Sequence, residues 1–347
     1  VERETGVNLP PYIVPTMTEI RDTPWNGLTV ASLFAGGGGS STGYRMAGYR
    51  VAYMNDVVPE ARDTYRANAA DYTVIDGSDV RTVKGSTILD AVEALAGRRE
   101  LDVLDGSPPC QAFSTAGPRQ KTWGHVAAHA DGTTQRSDDL FFEYTRLLDE
   151  IRPAAFVAEN VSGLLKGMAR GYFRRILAAL KEPGYLVEAK LLDAQWLGIP
   201  QMRQRVIFQG VRQDLADAGL RPAFPTPLPY RYPLATVCPG IIRLEVSGYG
   251  KIQVDDTLKI PSRTIAASGY SSYSRDYWLV DAEGNRRKFT IDEIKALCSF
   301  PPDYVVTGTY AQQWTRMGNS VPPMMMRAVA AAVRDEILTP WKGHADG

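Results

Sequence analysis

The sequence predicts a doubly wound α/β fold: a mixed, mostly parallel sheet, with a second, smaller and irregular domain. Three observations predict it. Between residues 28 and 211, short apolar runs rich in strand formers alternate with helical stretches. Such alternation places parallel strands side by side with helices on both faces. The first run ends in four consecutive glycines and the second in an acid, the arrangement of a ligand-holding turn at a sheet's carboxyl edge. From about residue 212 the texture changes: RPAFPTPLPYRYPLATVCPG holds six prolines, and Gly, Ser and Tyr are frequent up to 275. The expected division is a lead-in over 1–27, a large domain over 28–211 plus 316–347, and a small domain over 212–315.

The elements follow in order. LTVASLF (28–34) reads as a strand, and after GGGG (36–39) Ser40 and Ser41 stand as helix caps for SSTGYRMAGY. VAYMND (51–56) is a strand, and PEARDTYRANA a helix begun by Pro59. YTVID, the helical TILDAVEALAG and the strand LDVLD continue the pattern. DLFFEYTRLLDEI (139–151) is an amphipathic helix, and AAFVAEN (154–160) a strand. YFRRILAALKEPGY, LVEAKLLD and RVIFQGV repeat the unit. TIDEIKALCSF (290–300) is a helix capped by Thr290, with Glu293 at capping-box spacing. PPMMMRAVAAAVRDEIL is a final helix started by Pro322 and Pro323.

Composition narrows the function classes. No apolar run approaches the roughly 20 residues of a membrane helix, and the polar, proline-containing start does not read as a signal peptide. Cys110, Cys238 and Cys298 are far apart and odd in number, which points to a reducing, cytoplasmic setting without disulfides. Three histidines, none at metal spacing from a cysteine, argue against zinc. Net charge of +0 excludes a uniformly basic surface but not a local basic groove. Lys166, Arg170, Arg174 and Arg175, and then Arg203, Arg205 and Arg212, are either that groove or solvated faces.

Four constellations carry chemistry. The glycine turn fails the phosphate-loop pattern, having no Lys after its last Gly, and it fails the dinucleotide fingerprint. It retains a strand, a turn, a helix start and Asp56 some 20 residues on, which fits an adenosine without a diphosphate, such as S-adenosylmethionine, or a purely structural turn. Cys110 follows Pro108 and Pro109 just past the LDVLD strand. It is a thiol at a fixed angle: a nucleophile if its environment favours the thiolate, or else a bland free cysteine. Glu159 and Asn160 end a buried strand on the same edge. Burial there favours a protonated Glu159, unless a helix N-terminus satisfies it. Arg203 and Arg205 alternate along an incipient strand, so both point to one face and suit an anion or a carbonyl, or two structural ion pairs.

Taken in succession, FAGGGG, GSPPCQAFS, ENV, QMRQR and GNSVPP resemble the motifs of the cytosine-C5 DNA methyltransferases over residues 28 to 338. The resemblance implies a Rossmann-like methyltransferase domain holding S-adenosylmethionine, released as S-adenosylhomocysteine, with no metal. It implies a smaller domain across a cleft for double-stranded DNA. By the same match Phe34, Gly36, Gly37 and Gly39 line the cofactor turn. Asp56 takes the ribose hydroxyls and Asp79 the adenine amino group. Ser107, Pro109 and Leu140 border the methionine end, while Asn319 and Ser320 close the site. Cys110 matches the nucleophile that adds to carbon-6 of a flipped-out cytosine, Glu159 the acid that reads the base, and Arg203 and Arg205 the pair that supports it. Gln111, Ser114, Arg119 and Lys121 lie near DNA, in a loop from Gln111 to Ser137 that Gly117, Gly124 and Gly132 allow to close.

The chain departs from the family pattern in places. Ser32 stands where many relatives have an acid, the span from Cys110 to Leu140 is long, and Arg136 is one place off the family's arginine. PSRTIAAS (261–268) comes early and leaves only 212–260 to recognise the target, which implies a short site, or help from DNA shape or a partner. Three alternatives remain open: an RNA substrate, a non-catalytic DNA-binding homologue, and a nicotinamide oxidoreductase that the failed fingerprint disfavours. The expected protein is a cytoplasmic, nucleoid-associated monomer; a companion restriction enzyme is left open.

Overall fold

The computed structural model describes residues 9–109, 127–128, 134–135, 140–167, 169–248, 251–267 and 276–345. The chain enters through α1 (Met17–Asp22), begun by a capping box between Thr16 and Glu19. The expected lead-in therefore contains a helix, and it is anchored, because Met17 and Ile20 pack with Ile294, Leu297, Trp314 and Met317. Next come β1 (Thr29–Leu33), α2 (Gly39–Met46), β2 (Arg50–Asn55), α3 (Pro59–Asn68), β3 (Val74–Asp76), α4 (Gly85–Ala96) and β4 (Val103–Gly106). Two short strands, β5 (Ala127–Ala128) and β6 (Thr134–Gln135), precede α5 (Leu140–Ile151), β7 (Ala155–Val161), α6 (Ala169–Lys181) and β8 (Tyr185–Asp193). Then follow β9 (Gln201–Met202), β10 (Gln204–Arg212) and α7 (Gln213–Asp217).

Seven of these strands form one sheet in the order β3-β2-β1-β4-β7-β10-β8, in which β10 runs antiparallel to both neighbours, while β5 and β6 pair with each other. The chain winds outward from β1 through β2 to β3, then returns to the other side of β1 with β4. The order thus reverses between β1 and β4, and the crevice at their carboxyl ends is where such sheets bind ligands. Every residue of β1 and β4 is buried, because helices cover both faces. Leu104, Phe156 and Phe208 pack against α4, α5 and α6, while Val30, Val103, Val157 and Ile207 pack against α2 and the C-terminal helices.

The later region is more regular than expected. β11 (Ile241–Gly248), β12 (Lys251–Asp256), β14 (Asp276–Asp281) and β15 (Arg286–Arg287) form an antiparallel sheet ordered β12-β11-β14-β15. Between them β13 (Ser262–Arg263) pairs with β9 and ties this region back to the segment leading into β10. α8 (Ile291–Leu297) has the predicted capping box of Thr290 and Glu293. α9 (Tyr310–Asn319) and α10 (Pro323–Val333) follow. Pro323 takes the first helical position, and a π turn over Arg334–Leu338 leads into α11 (Thr339–Ala345).

Ser40 and Ser41 are not caps. The N-cap of α2 is Gly38, at φ 89°, and both serines lie inside the first turn. A Cβ on Gly38 would stand 2.6 Å from the Tyr304 hydroxyl, so only glycine fits there. Ser40 is turned inward by a buried acceptor described below.

Candidate active site

The turn after β1 is built from unusual backbone. Phe34 has φ 53°, a left-handed conformation that costs a side-chain-bearing residue of order 1 kcal/mol or more. Gly36 at φ 54° and Gly38 at φ 89° complete the reversal. Three contacts hold it. Asp56, at the end of β2, accepts from Gly36 N at 2.7 Å and from Val58 N at 2.9 Å. The Tyr304 hydroxyl donates to the Gly37 carbonyl. Gly39 abuts Val321, whose carbonyl oxygen would lie 2.2 Å from an added Cβ. At Gly36, by contrast, an added Cβ would meet no atom of the described residues within 4 Å. That open face beside Asp56 is a cradle of the kind a nucleoside-bearing cofactor needs. Burial raises the Asp56 carboxyl above its ordinary range, against the pull of its two backbone donors.

Beneath the turn lies a residue the sequence reading passed over. Asp105 on β4 is fully buried and in register with Ser32 on β1. Its Oδ2 accepts from Ser32 Oγ and Ser40 Oγ, each at 2.7 Å. Burial pushes its carboxyl up to about 7. The available signal was a charged residue at an inward position of a buried strand, where charge is rarely left without partners.

At the neighbouring edge, β7 delivers Glu159 and Asn160, 7% and 3% exposed. Glu159 Oε1 lies 2.5 Å from Arg205 Nε. Among the described residues it is this guanidinium, rather than a helix N-terminus, that faces the carboxylate. Asn160 Nδ2 donates to the Pro108 carbonyl at 3.2 Å, so the two sequence segments GSPPC and ENV meet in space. Behind them Gly106 is packed on the Tyr144 ring, 2.7 Å from where a Cβ would sit.

The two arginines part company. Arg203 precedes β10 rather than alternating along it, is 1% exposed, and donates to the carbonyls of Ile265 (3.3 Å), Gly318 (2.9 Å) and Ser320 (2.7 Å). It offers no free face to a base. The expected shared guanidinium face therefore reduces to Arg205. What Arg203 does instead is fasten β10 to the end of α9, and so hold Ser320 in place.

The other predicted residues are distributed as follows. Ser107 and Pro109 are partly buried just past β4, and Ser107 N donates to the Leu33 carbonyl at 3.3 Å. Leu140 is buried at the start of α5. Asp79 pairs with Arg81 at 3.0 Å. Asn319 is exposed at the end of α9, and the Ser320 hydroxyl donates to the Met317 carbonyl. Cys110, Gln111, Ser114, Arg119 and Lys121 lie outside the described residues, as does Arg136. Lys166, Arg170, Arg174 and Arg175 are exposed, whereas Arg212 pairs with Asp214 at 2.8 Å. Among the described residues no cluster of His, Cys, Asp or Glu is arranged to hold a metal ion, and no helix is long and apolar enough to cross a membrane.

Comparison with known proteins agrees with this geometry. The profile of the family described as C-5 cytosine-specific DNA methylase matches residues 28–237 and 245–335. The Type II methyltransferase M1.HphI of Haemophilus parahaemolyticus is 31% identical over 340 residues, covering 88% of this chain and 86% of that protein. The Type II methyltransferase M.BsuFI of Bacillus subtilis is 30% identical over 331 residues, covering 90% and 73%. Among solved structures, Spodoptera frugiperda DNMT2 superposes with a TM-score of 0.63 at 17% identity, covering 89% of this chain and all of that one (100%). The S. pombe Dnmt2 methyltransferase gives 0.58 at 15% identity, covering 88% and 98%. At such identities the two structures establish the fold alone.

Proposed function

The chain belongs to the C-5 cytosine-specific DNA methylase family and is a DNA (cytosine-5-)-methyltransferase; from that premise we propose which of its residues carry the reaction. The cofactor is S-adenosylmethionine, which supplies an electrophilic methyl group on its sulfonium. The open cradle at Gly36, with Phe34, Gly37 and Gly39 shaping it, Asp56 bracing it and Asp79 beyond it, is the fitting place for the adenosine. Ser107, Pro109, Leu140, Asn319 and Ser320 border the methionine end.

The Cys110 thiolate adds to carbon-6 of a cytosine flipped out of double-stranded DNA, and carbon-5 becomes the nucleophile that takes the methyl. Glu159 shares a proton with ring N3 and offsets the charge that addition creates, while Arg205 orients Glu159 and reaches the O2 carbonyl. Loss of the carbon-5 proton and expulsion of the thiolate complete the turnover. Arg203 acts at one remove, by holding Ser320. Gln111, Ser114, Arg119 and Lys121 contact the DNA.

We divide the chain into a large domain over 28–211 plus 316–347 and a small one over 212–315. Residues 212–260 serve as a short target reader and include the β11–β12 hairpin. The protein works as a cytoplasmic monomer on the nucleoid, with a companion endonuclease as in Type II systems.

The observation that carries the chemistry is the meeting of the Glu159–Arg205 pair with the Pro108 segment at one sheet edge. An oligonucleotide with fluorine at carbon-5 of the target cytosine tests it, because fluorine cannot leave as a proton does. The expected result is a protein–DNA adduct that survives denaturing electrophoresis when the cofactor is present. Active enzyme that yields no adduct in its own target context refutes the mechanism.

A further inference from the structure

We propose that Asp105 is a positioning residue for the cofactor turn: it fixes the first turn of α2 to the sheet and so holds the Phe34–Gly39 backbone in its left-handed path. The inference rests on the reading of that turn as the cofactor site.

The geometry is specific. Asp105 Oδ2 receives two hydroxyl donors at 2.7 Å from opposite ends of the turn, Ser32 within β1 before it and Ser40 within α2 after it. The segment between them contains Phe34, Gly36 and Gly38, all at positive φ, and Gly39, pressed against Val321. A segment with that much unfavourable backbone keeps its shape only where its ends are clamped. α2 has no side-chain cap to anchor its start, since Gly38 occupies the N-cap. The Ser40–Asp105 hydrogen bond takes over that task from inside the sheet.

A second rung on the same strand pair shows that Ser32–Asp105 is more than filler. Thr29 Oγ1 donates to Asp102 Oδ2 at 3.0 Å, three residues earlier in each segment. That lower rung is braced by Arg98 and Lys342 and lies away from the crevice. The Asp105 rung instead reaches across the turn to α2, through Ser40. Among the described residues, the groups around Asp105 are Ser32 from β1, Ser40 and Tyr44 from α2, Tyr65 from α3, Glu159 from β7 and Tyr144 from α5. None of them is a cation, so Asp105 is held by hydroxyls rather than by an ion pair. Loss of the acceptor strands two buried donors, and loss of one donor slackens one end of the clamp.

The test is titration calorimetry of the full-length protein with S-adenosylhomocysteine, alongside duplex-DNA affinity and steady-state kinetics. Asp105→Ala is expected to raise the cofactor-product Kd about tenfold or more and Ser40→Ala about fivefold, with the double variant no worse than Asp105→Ala, because both act through one bond. Asp105→Asn, whose amide oxygen still accepts both hydroxyls, is expected to stay within about threefold of wild type. KM for the cofactor rises in the weakened variants while kcat at saturation and DNA affinity hold within about threefold. Should Asp105→Ala fail to fold, Ser40→Ala and Asp105→Asn carry the test. Wild-type affinity in Ser40→Ala overturns the proposal. So do additive losses in a folded double variant, and equal losses of cofactor and DNA affinity. If the wild-type protein binds neither S-adenosylmethionine nor its product, the cofactor reading fails instead.

Discussion

Asn160 donates from Nδ2 to the carbonyl oxygen of Pro108, so the last turn of backbone before Cys110 hangs from the end of β7. Its own Oδ1 accepts from Val161 N at 2.9 Å, which leaves the amide no freedom to flip. The side chain is buried and spans 52 residues of sequence. It fixes Pro108 against the strand end that carries the Glu159 carboxyl. Asn160→Ala should lower kcat by about tenfold, equivalent to about 1.4 kcal/mol of transition-state stabilisation, while cofactor affinity moves less than about threefold. Single-turnover rates and calorimetry measure the two. A variant with unaltered kcat would show that the bond only fills space.

Arg203 and Arg205 should respond differently to the same substitution. Removal of Arg203 leaves three buried carbonyls, from Ile265, Gly318 and Ser320, without that donor. Arg203→Ala should therefore cost about 3 kcal/mol or more of stability. Arg205, 12% exposed in its side chain, makes one ion pair with Glu159. Arg205→Ala should cost less stability and far more turnover. Urea denaturation and kcat separate the two, and the assignment is wrong if Arg205→Ala is the more unfolded and the more active.

This split explains how far the sequence could be read. The inner strands of the large sheet were legible because both of their faces are buried, and LTVASLF or AAFVAEN can then be little else. Thr290 with Glu293 and Pro323 were legible because capping is local. β11 and β12 were not: they are covered on one face only. Leu244 and Val246 point inward, while Ile252 and Val254 stand exposed among Arg243, Glu245 and Gln253, so no clean apolar run appears. Arg203 misled for a different reason. Its partners lie 62 to 117 residues away, and nothing in QMRQR announces them. Ser40 had the composition of a cap, but a carboxylate 65 residues further along the chain claims its hydroxyl.

Asp105 makes stability depend on pH in a direction opposite to that of a salt-bridged acid. Burial raises its folded-state carboxyl to about 7, above the roughly 4 of an unfolded Asp. Between those values the folded chain keeps a proton that the unfolded chain has released. Stability therefore falls as pH rises through that window and levels off above it. Asp105→Asn lacks this slope. Measured against wild type, its unfolding free energy should gain about 3 kcal/mol between pH 5 and pH 8. The difference between the two curves isolates Asp105 from the other acids, and parallel curves would sink the claim.

Cys110→Ala should abolish methyl transfer and adduct formation while cofactor affinity stays within about threefold, because the contacts that brace the Gly36 turn come from Asp56, Tyr304 and Val321. Residual turnover at the wild-type rate would remove Cys110 from the mechanism.

Asp56 separates two accounts of one carboxylate. If it served only to accept ribose hydroxyls, Asn would do part of the work, since an amide oxygen also accepts. In the structure both oxygens are already engaged, Oδ2 with Gly36 N and Oδ1 with Val58 N. An amide must present its NH2 group to one of those N–H donors, and two donors face to face repel. Asp56→Asn should then weaken cofactor binding as much as Asp56→Ala, about tenfold or more, through distortion of the turn rather than through a lost ribose contact. DNA affinity should hold within about threefold, since the brace lies on the cofactor side of the sheet edge. Calorimetry with both ligands decides it: an Asn variant much closer to wild type than the Ala variant returns Asp56 to the role of a simple ribose acceptor, and a DNA affinity that falls further than cofactor affinity removes it from the cofactor site.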